Sequence, residues 1–228
     1  MTDEQTTVDG TATTHATDDR VRVVDHPLAG HLLAGLRDAS TPPERFRHLT
    51  QRLATVLVLE ATRGLPTRPT TVRTPLADAR ADTLDGNVIA VPILRAGLGL
   101  LTAVTALLPD VQVGYVGLER DEQTLQPSSY YLKVPPLDEG RPVLLLDPML
   151  ATGGSASFAA QLLRDRGASD LTLLCVVAAP EGIDRLAGDH PDLRIVTAGL
   201  DERLNDVGYI VPGLGDFGDR LFGTFGEA

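Results

Sequence analysis

The sequence predicts an α/β protein built on a parallel sheet of about five strands flanked by helices, and three observations carry that expectation. Apolar runs of strand length recur at residues 87–94, 113–118, 143–146, 171–178 and 193–198. Stretches with apolar residues at helical spacing fall between several of them, the alternation that builds crossover connections. Residues 143–178 read as strand, small-residue loop, helix, strand, which is a complete βαβ unit with a right-handed crossover.

Composition bounds the answer before any motif is read. A chain of 228 residues is long enough for one substantial domain. Its residues are 43% hydrophobic and the mean hydropathy is +0.02, as in a soluble globular protein. No apolar run approaches the roughly 20 residues that span a membrane. The first residues lack a basic-then-apolar signal pattern, so a cytoplasmic protein is expected. Twenty basic residues face 31 acidic ones, for a net charge of −11, and Lys133 is the one lysine. Non-specific nucleic-acid binding needs a basic footprint, which this balance argues against. It fits the solubilising acidic shell of a halophilic protein. Cys175, alone of its kind in the apolar run 171–179, reads as a small buried hydrophobe rather than a metal ligand.

Taken in order, residues 1–20 are polar and acidic, with Asp3, Glu4, Asp9, Asp18 and Asp19 against Arg20. They are expected to form a disordered tail, with His15 a solvated residue within it. Residues 21–228 then form a single domain. Leu28, Leu32, Leu33 and Leu36 share one helical face. A longer helix is expected over 43–62, capped by Thr41, with Phe46, Leu49, Leu53, Leu57 and Ala61 inward. Residues 64–86, with three prolines and the β-prone run 70–74, suggest a strand or hairpin outside the main sheet. The strand 87–94 ends in Arg95, followed by Gly97, Gly99 and a helix over 98–108. An Arg at a strand end beside glycines faces an anion, or else pairs with a neighbouring loop. After the strand 113–118, the polar segment 124–134 reads as a flexible β-arm with Arg120 at its base. A helix over 180–188 precedes the last sheet strand. The final segment, 204–220, is too rich in glycine for a helix and reads as an ordered loop that presents its backbone.

The βαβ loop carries the chemistry. Val143 to Leu146 lead into Asp147, then Pro148, Met149, Leu150, Ala151, Thr152, Gly153, Gly154 and Ser155. Free N–H groups of a first helical turn, with the helix dipole behind them, hold a phosphate. Gly153 and Gly154 would admit the anion without a Cβ in the way, and Thr152 and Ser155 add hydroxyl donors. No lysine follows the glycines, so this is not the nucleotide P-loop. The plainer alternative is a tight turn whose Ser or Thr caps the helix. Asp147 favours the ligand reading, because a carboxylate at the end of a buried parallel strand stands where α/β sheets bind ligands.

The run D-P-M-L-A-T-G-G-S resembles the ribose-phosphate loop of the phosphoribosyltransferases, in the wording of their uracil branch. P-I-L-R-A-G-L-G at 92–99 and G-Y-I-V-P-G-L-G-D-F-G-D at 208–219 resemble the diphosphate loop and the uracil loop of that branch. A-A-P-E-G at 178–182 is similar to it too, with no chemistry to explain it. The resemblance, from about His26 to Gly223, implies a phosphoribosyltransferase sheet with a hood made by the N-terminal helices and the C-terminal loop. It implies transfer from 5-phosphoribosyl 1-diphosphate (PRPP) to uracil, with Mg2+ on the diphosphate.

The roles it implies are specific. Asp147 would take the ribose hydroxyls, and residues Pro148 to Ser155 would wrap the phosphoribosyl group. Arg95 and Arg120 would balance diphosphate charge, and Asp216 would stand near the reacting ribose. Ile210, Gly215 and Phe217 would meet uracil through backbone groups. Relatives usually carry a small residue where Phe217 stands, so its ring must lie outside the base pocket. The resemblance also implies a homo-oligomer, dimer or tetramer, and GTP or CTP as effectors. A purine- or orotate-type transferase would lack the C-terminal loop. A nucleotide-sensing, RNA-binding regulator on the same fold would need a basic face.

Overall fold

The central strands of this chain form where an apolar run can bury both faces, as the buried runs at 89–93, 143–146 and 171–178 show. The computed structural model describes residues 20–120, 127–137 and 140–225, apart from the side chains of Arg120 and Pro127. The expected tail, including His15, lies outside the described residues up to residue 19. At Arg20 the chain is already tied down, its carbonyl accepting the Ile195 N–H at 2.8 Å.

Strand β1 (Val21–Val23) leads to α1 (Pro27–Arg37) and α2 (Pro43–Ala61). A proline opens each helix, where its missing N–H costs nothing. Thr41 does not cap α2. The cap position is Pro42, without a side-chain bond, while Thr41 Oγ1 donates to the Gly35 carbonyl at 2.7 Å and ties the end of α1 to the start of α2. Phe46, Leu49, Leu53 and Leu57 are buried as their spacing predicts. Strands β2 (Thr67–Arg73) and β3 (Asp78–Leu84) form an antiparallel hairpin with its own two-stranded sheet.

The domain then alternates. Strand β4 (Ile89–Leu94), helix α3 (Leu98–Leu107), β5 (Gln112–Val113) and β6 (Tyr115–Arg120) are followed by β7 (Pro127–Lys133) and β8 (Pro142–Leu146). Next come β9 (Met149–Leu150), α4 (Gly154–Arg164), β10 (Asp170–Ala178), α5 (Pro180–Asp189) and β11 (Arg194–Leu200). The nine-stranded main sheet runs β1-β11-β10-β8-β4-β6-β7, with β5 added to β4 and β9 to β10. The five expected strands form its parallel centre. Strand β1 adds a parallel edge on β11, and β7 returns antiparallel on β6 as one side of the arm.

Side chains alternate across this sheet with period two. Ala90, Leu144, Leu146, Leu174 and Val176 face α1, α2 and α3. Ile89, Val91, Val143, Leu145, Leu173 and Cys175 face α4 and α5. Burial on both sides makes the strands continuous apolar runs, as parallel sheets require. Cys175 is fully buried, and desolvation pushes its thiol up to about 12.

The C-terminal segment departs from the expected loop. It contains a short pair, β12 (Arg203–Leu204) with β13 (Ile210–Val211), and a helix, α6 (Phe217–Phe222). Glycine content misleads here because Gly208, Gly213 and Gly215 sit between elements, at φ +85°, +60° and +80°, where glycine is the natural choice. One glycine inside α6 is outweighed by the Asp216 cap and by the buried Phe217 and Leu221.

Candidate active site

The connections of the sheet reverse between β8 and β4. From β8 the chain crosses by α4 to β10 on one side, and from β4 by α3 to β6 on the other. Ligands of open α/β sheets bind at the carboxyl ends of strands flanking such a switch point. The strand-end residues there are Arg95 after β4 and Asp147 after β8. Arg120 closes β6 beside them; its side chain lies outside the described residues.

Beyond Asp147 two carbonyls of the loop turn inward, and the Ala151 N–H folds back on the Met149 carbonyl at 3.1 Å. Pro148 O accepts from Val176 N–H at 2.8 Å, and Leu150 O from Ala179 N–H at 2.9 Å. The first bond within α4 runs from Ser157 N–H to Gly153 O at 2.8 Å. The N–H groups of Gly154, Ser155 and Ala156 are thus left without helical acceptors. Gly153 itself is the N-cap, at φ 75°, and no side chain caps the helix. Neither Thr152 nor Ser155 serves as that cap, so the donors at the start of α4 are available to a ligand.

Asp147 keeps a narrow opening to solvent, yet burial pushes its carboxyl up to about 7, against a smaller lowering by the Met149 N–H. Arg95 extends from the Leu94–Arg95 bond, a cis peptide. Its guanidinium lies 3.9 Å from Asp219 Oδ1 and 5.7 Å from the centre of the Phe222 ring, and is 61% exposed. Arg95 therefore leans on α6 and stays open to a ligand. A Cβ on Gly97 would overlap the Leu146 carbonyl and fall 2.8 Å from Ile93 O, so the two strand-end loops pack without room for a side chain.

The C-terminal segment closes over both loops. A Cβ built on Gly208 would lie 3.7 Å from Thr152 Cγ2, and one on Gly218 would lie 3.9 Å from Ala96 Cβ. Asp216 Oδ1 accepts the Asp219 N–H at 2.8 Å, so it caps α6 at the mouth of the site. The Phe217 ring is buried edge-on against Phe46, centroids 5.1 Å apart.

A family model described as uracil phosphoribosyltransferase matches residues 23–224. The chain belongs to the uracil phosphoribosyltransferase family. Among its relatives, a uracil phosphoribosyltransferase of Thermus thermophilus is 53% identical over 206 residues, covering 90% of this chain and 99% of the relative. One from Geobacillus kaustophilus is 50% identical over the same shares. A solved structure of an Aquifex aeolicus protein is 36% identical, with a TM-score of 0.85, over 91% of this chain and all of that one. The adenine phosphoribosyltransferase of Leishmania tarentolae, at 15% identity and TM-score 0.53, covering 79% of this chain and 90% of that one, shares the fold.

Within this uracil phosphoribosyltransferase fold, several residues that hold the C-terminal loop were not legible in the sequence. Arg37 donates from Nη1 to Asp201 Oδ2 and to the Gly213 carbonyl, both at 2.8 Å, and from Nη2 to Asp201 Oδ1. Asp201 Oδ2 takes the Gly213 N–H at 2.9 Å. Arg220, 9% exposed, donates to the carbonyls of Leu36, Asp38 and Leu214 and lies over the Phe46 ring at 4.5 Å. Only the G-D-x-G-D spacing around Arg220 offered a signal. Arg37 and Asp201 are 164 residues apart, and nothing local marks them as partners.

Proposed function

We propose that this chain transfers the phosphoribosyl group of PRPP to uracil, releasing diphosphate and forming UMP, a pyrimidine-salvage reaction. The N1–C1 bond forms as the bond from C1 to diphosphate breaks, and the N1 proton leaves to diphosphate or solvent. The observation that carries the reading is the C-terminal segment's approach to both Thr152 and Ala96. It brings the C-terminal loop beside the loop 147–155 and the exposed Arg95.

In this proposal the backbone of 151–155 holds the 5-phosphate, with the N–H groups that open α4 as its donors, and Asp147 accepts from the ribose hydroxyls. Arg95 and Arg120 meet the charge growing on diphosphate while C1 gains oxocarbenium character. Catalysis is positioning and charge stabilisation, with no covalent nucleophile. Uracil offers O4, N3–H and O2; Ile210 C=O takes N3–H, and the Gly215 and Phe217 N–H groups meet the carbonyls. Cytosine reverses two of these groups and would leave buried polar atoms unpaired. Among the described residues no three His, Cys, Asp or Glu side chains gather to hold a metal. In this proposal Mg2+ enters as part of the PRPP substrate, leaning on diphosphate oxygens and water. Self-association and response to GTP or CTP belong to the proposal through resemblance alone.

The test is a panel of uracil, cytosine, hypoxanthine, adenine and orotate with PRPP and Mg2+. UMP and diphosphate should form from uracil and from no other base at a comparable rate. Preferred turnover of a purine or of orotate would overturn the proposal.

A further inference from the structure

The turn 178–182, A-A-P-E-G, is left without a role by the reaction itself. It lies directly behind both substrate loops. Ala179 N–H donates to Leu150 O at 2.9 Å. A Cβ on Gly182 would overlap the Ala151 carbonyl and fall 2.9 Å from that of Leu150, while one on Gly153 would fall 2.9 Å from Gly182 O. All of these neighbours are backbone, which cannot swing aside as a long side chain can. Two peptide segments are thus in direct contact, and the outer one is the phosphate loop.

The same turn grips the base-reading segment with its next side chain. Glu181 Oε1 accepts the Leu204 N–H at 2.9 Å. Leu204 pairs with Ile210 across β12 and β13, and Ile210 supplies the carbonyl assigned to uracil. The far end of α5 is fastened as well. Ser157 Oγ donates to Asp189 Oδ2 at 2.6 Å, and His190 Nε2 lies 2.9 Å from Ser157 O. Helix α5 is therefore held to α4 at one end and to both loops at the other.

We propose that Glu181 and Gly182 are positioning residues, Gly182 for the phosphate loop and Glu181 for the base-reading loop, so that one turn sets the spacing between the two substrates. This rests on the function proposed above. Neither residue touches substrate. Each acts through one loop, so their substitutions should separate kinetically.

The experiment is steady-state kinetics of wild type, Gly182→Ala, Glu181→Ala and Glu181→Gln with uracil and PRPP, alongside thermal midpoints. Gly182→Ala should raise the KM for PRPP about tenfold or more, since a misplaced binding loop is costly, with a much smaller change for uracil. Glu181→Ala should raise the KM for uracil about fivefold, the effect of one net hydrogen bond, with kcat and the KM for PRPP held. Glu181→Gln keeps an acceptor oxygen and should restore the uracil KM. If Gly182→Ala fails to fold, the exposed Glu181 pair decides alone. Unchanged KM values in folded variants, equal shifts for both substrates, or no rescue by Gln would overturn the inference. A wild type inactive on uracil and PRPP would overturn the function itself, and this inference with it.

Discussion

Asp147 sits where β8 ends, and burial raises its carboxyl to about 7, against about 3.9 in an unfolded chain. The folded protein therefore binds this proton more tightly than the unfolded one. Stability from this group is fully present below about pH 4 and falls as pH rises towards about 7, by at most about 4 kcal/mol. Asp147→Asn removes that penalty while losing a charged acceptor for the ribose. Thermal midpoints should show the variant above wild type at about pH 8, the gap closing towards about pH 5, with turnover reduced. Parallel pH profiles would show that Asp147 carries no such cost. Arg95 makes the opposite case, exposed and paired only at 3.9 Å with Asp219. Arg95→Ala should leave the midpoint nearly unchanged and lower turnover about a hundredfold, or about 3 kcal/mol. Arg95→Lys should rescue it incompletely, because a point charge lacks the guanidinium fork. Wild-type turnover in the Ala variant would remove Arg95 from the reaction.

At the scale of elements, α6 and the turn before it are held by charge and packing together. Asp216 caps α6, a role asparagine fills nearly as well. Asp216→Asn should accordingly keep the midpoint but depress turnover about tenfold if its charge serves the reacting ribose. Unchanged turnover would leave it a cap alone. The Arg37–Asp201 clamp closes on both polar groups of Gly213. With Asp201 at 3% side-chain exposure, Asp201→Asn strips a partly buried arginine of its partner and should cost about 2 kcal/mol or more. Its kinetic signature should be a raised KM for uracil with little change for PRPP. Equal KM values in wild type and variant would show that the clamp stabilises the fold without placing the loop.

Over the whole molecule the net charge of −11 bears on partners rather than on fold. An RNA-binding regulator would need a basic stripe, and filter binding at about 0.15 M salt should detect no complex with pyrimidine-rich RNA. Tight, salt-sensitive RNA binding would revive that alternative. No helix among the described residues is long and apolar enough to cross a membrane.

What the sequence determined by itself is whatever local chemistry decides. The apolar runs of β4, β8 and β10, the proline starts of α1 and α2, and the order Asp147, Gly153, Gly154 all act within a few residues of themselves. Their strand, helix and loop identities follow from period and backbone freedom. The β1 edge of the sheet did not follow. Strand β1 is three residues long and exists because β11 offers it an unpaired side. The helix α6 was hidden because glycine weakens a helix locally, while the burial of Phe217 against Phe46 that outweighs this comes from a segment 171 positions earlier. Thr41 looked like a cap because its neighbours in sequence suggested one, and the Gly35 carbonyl claimed its hydroxyl instead. Arg37 with Asp201, and Gly182 against Ala151, are meetings of distant segments. Such contacts carry no local signature, since their energy depends on which surfaces the packed sheet and helices bring within reach.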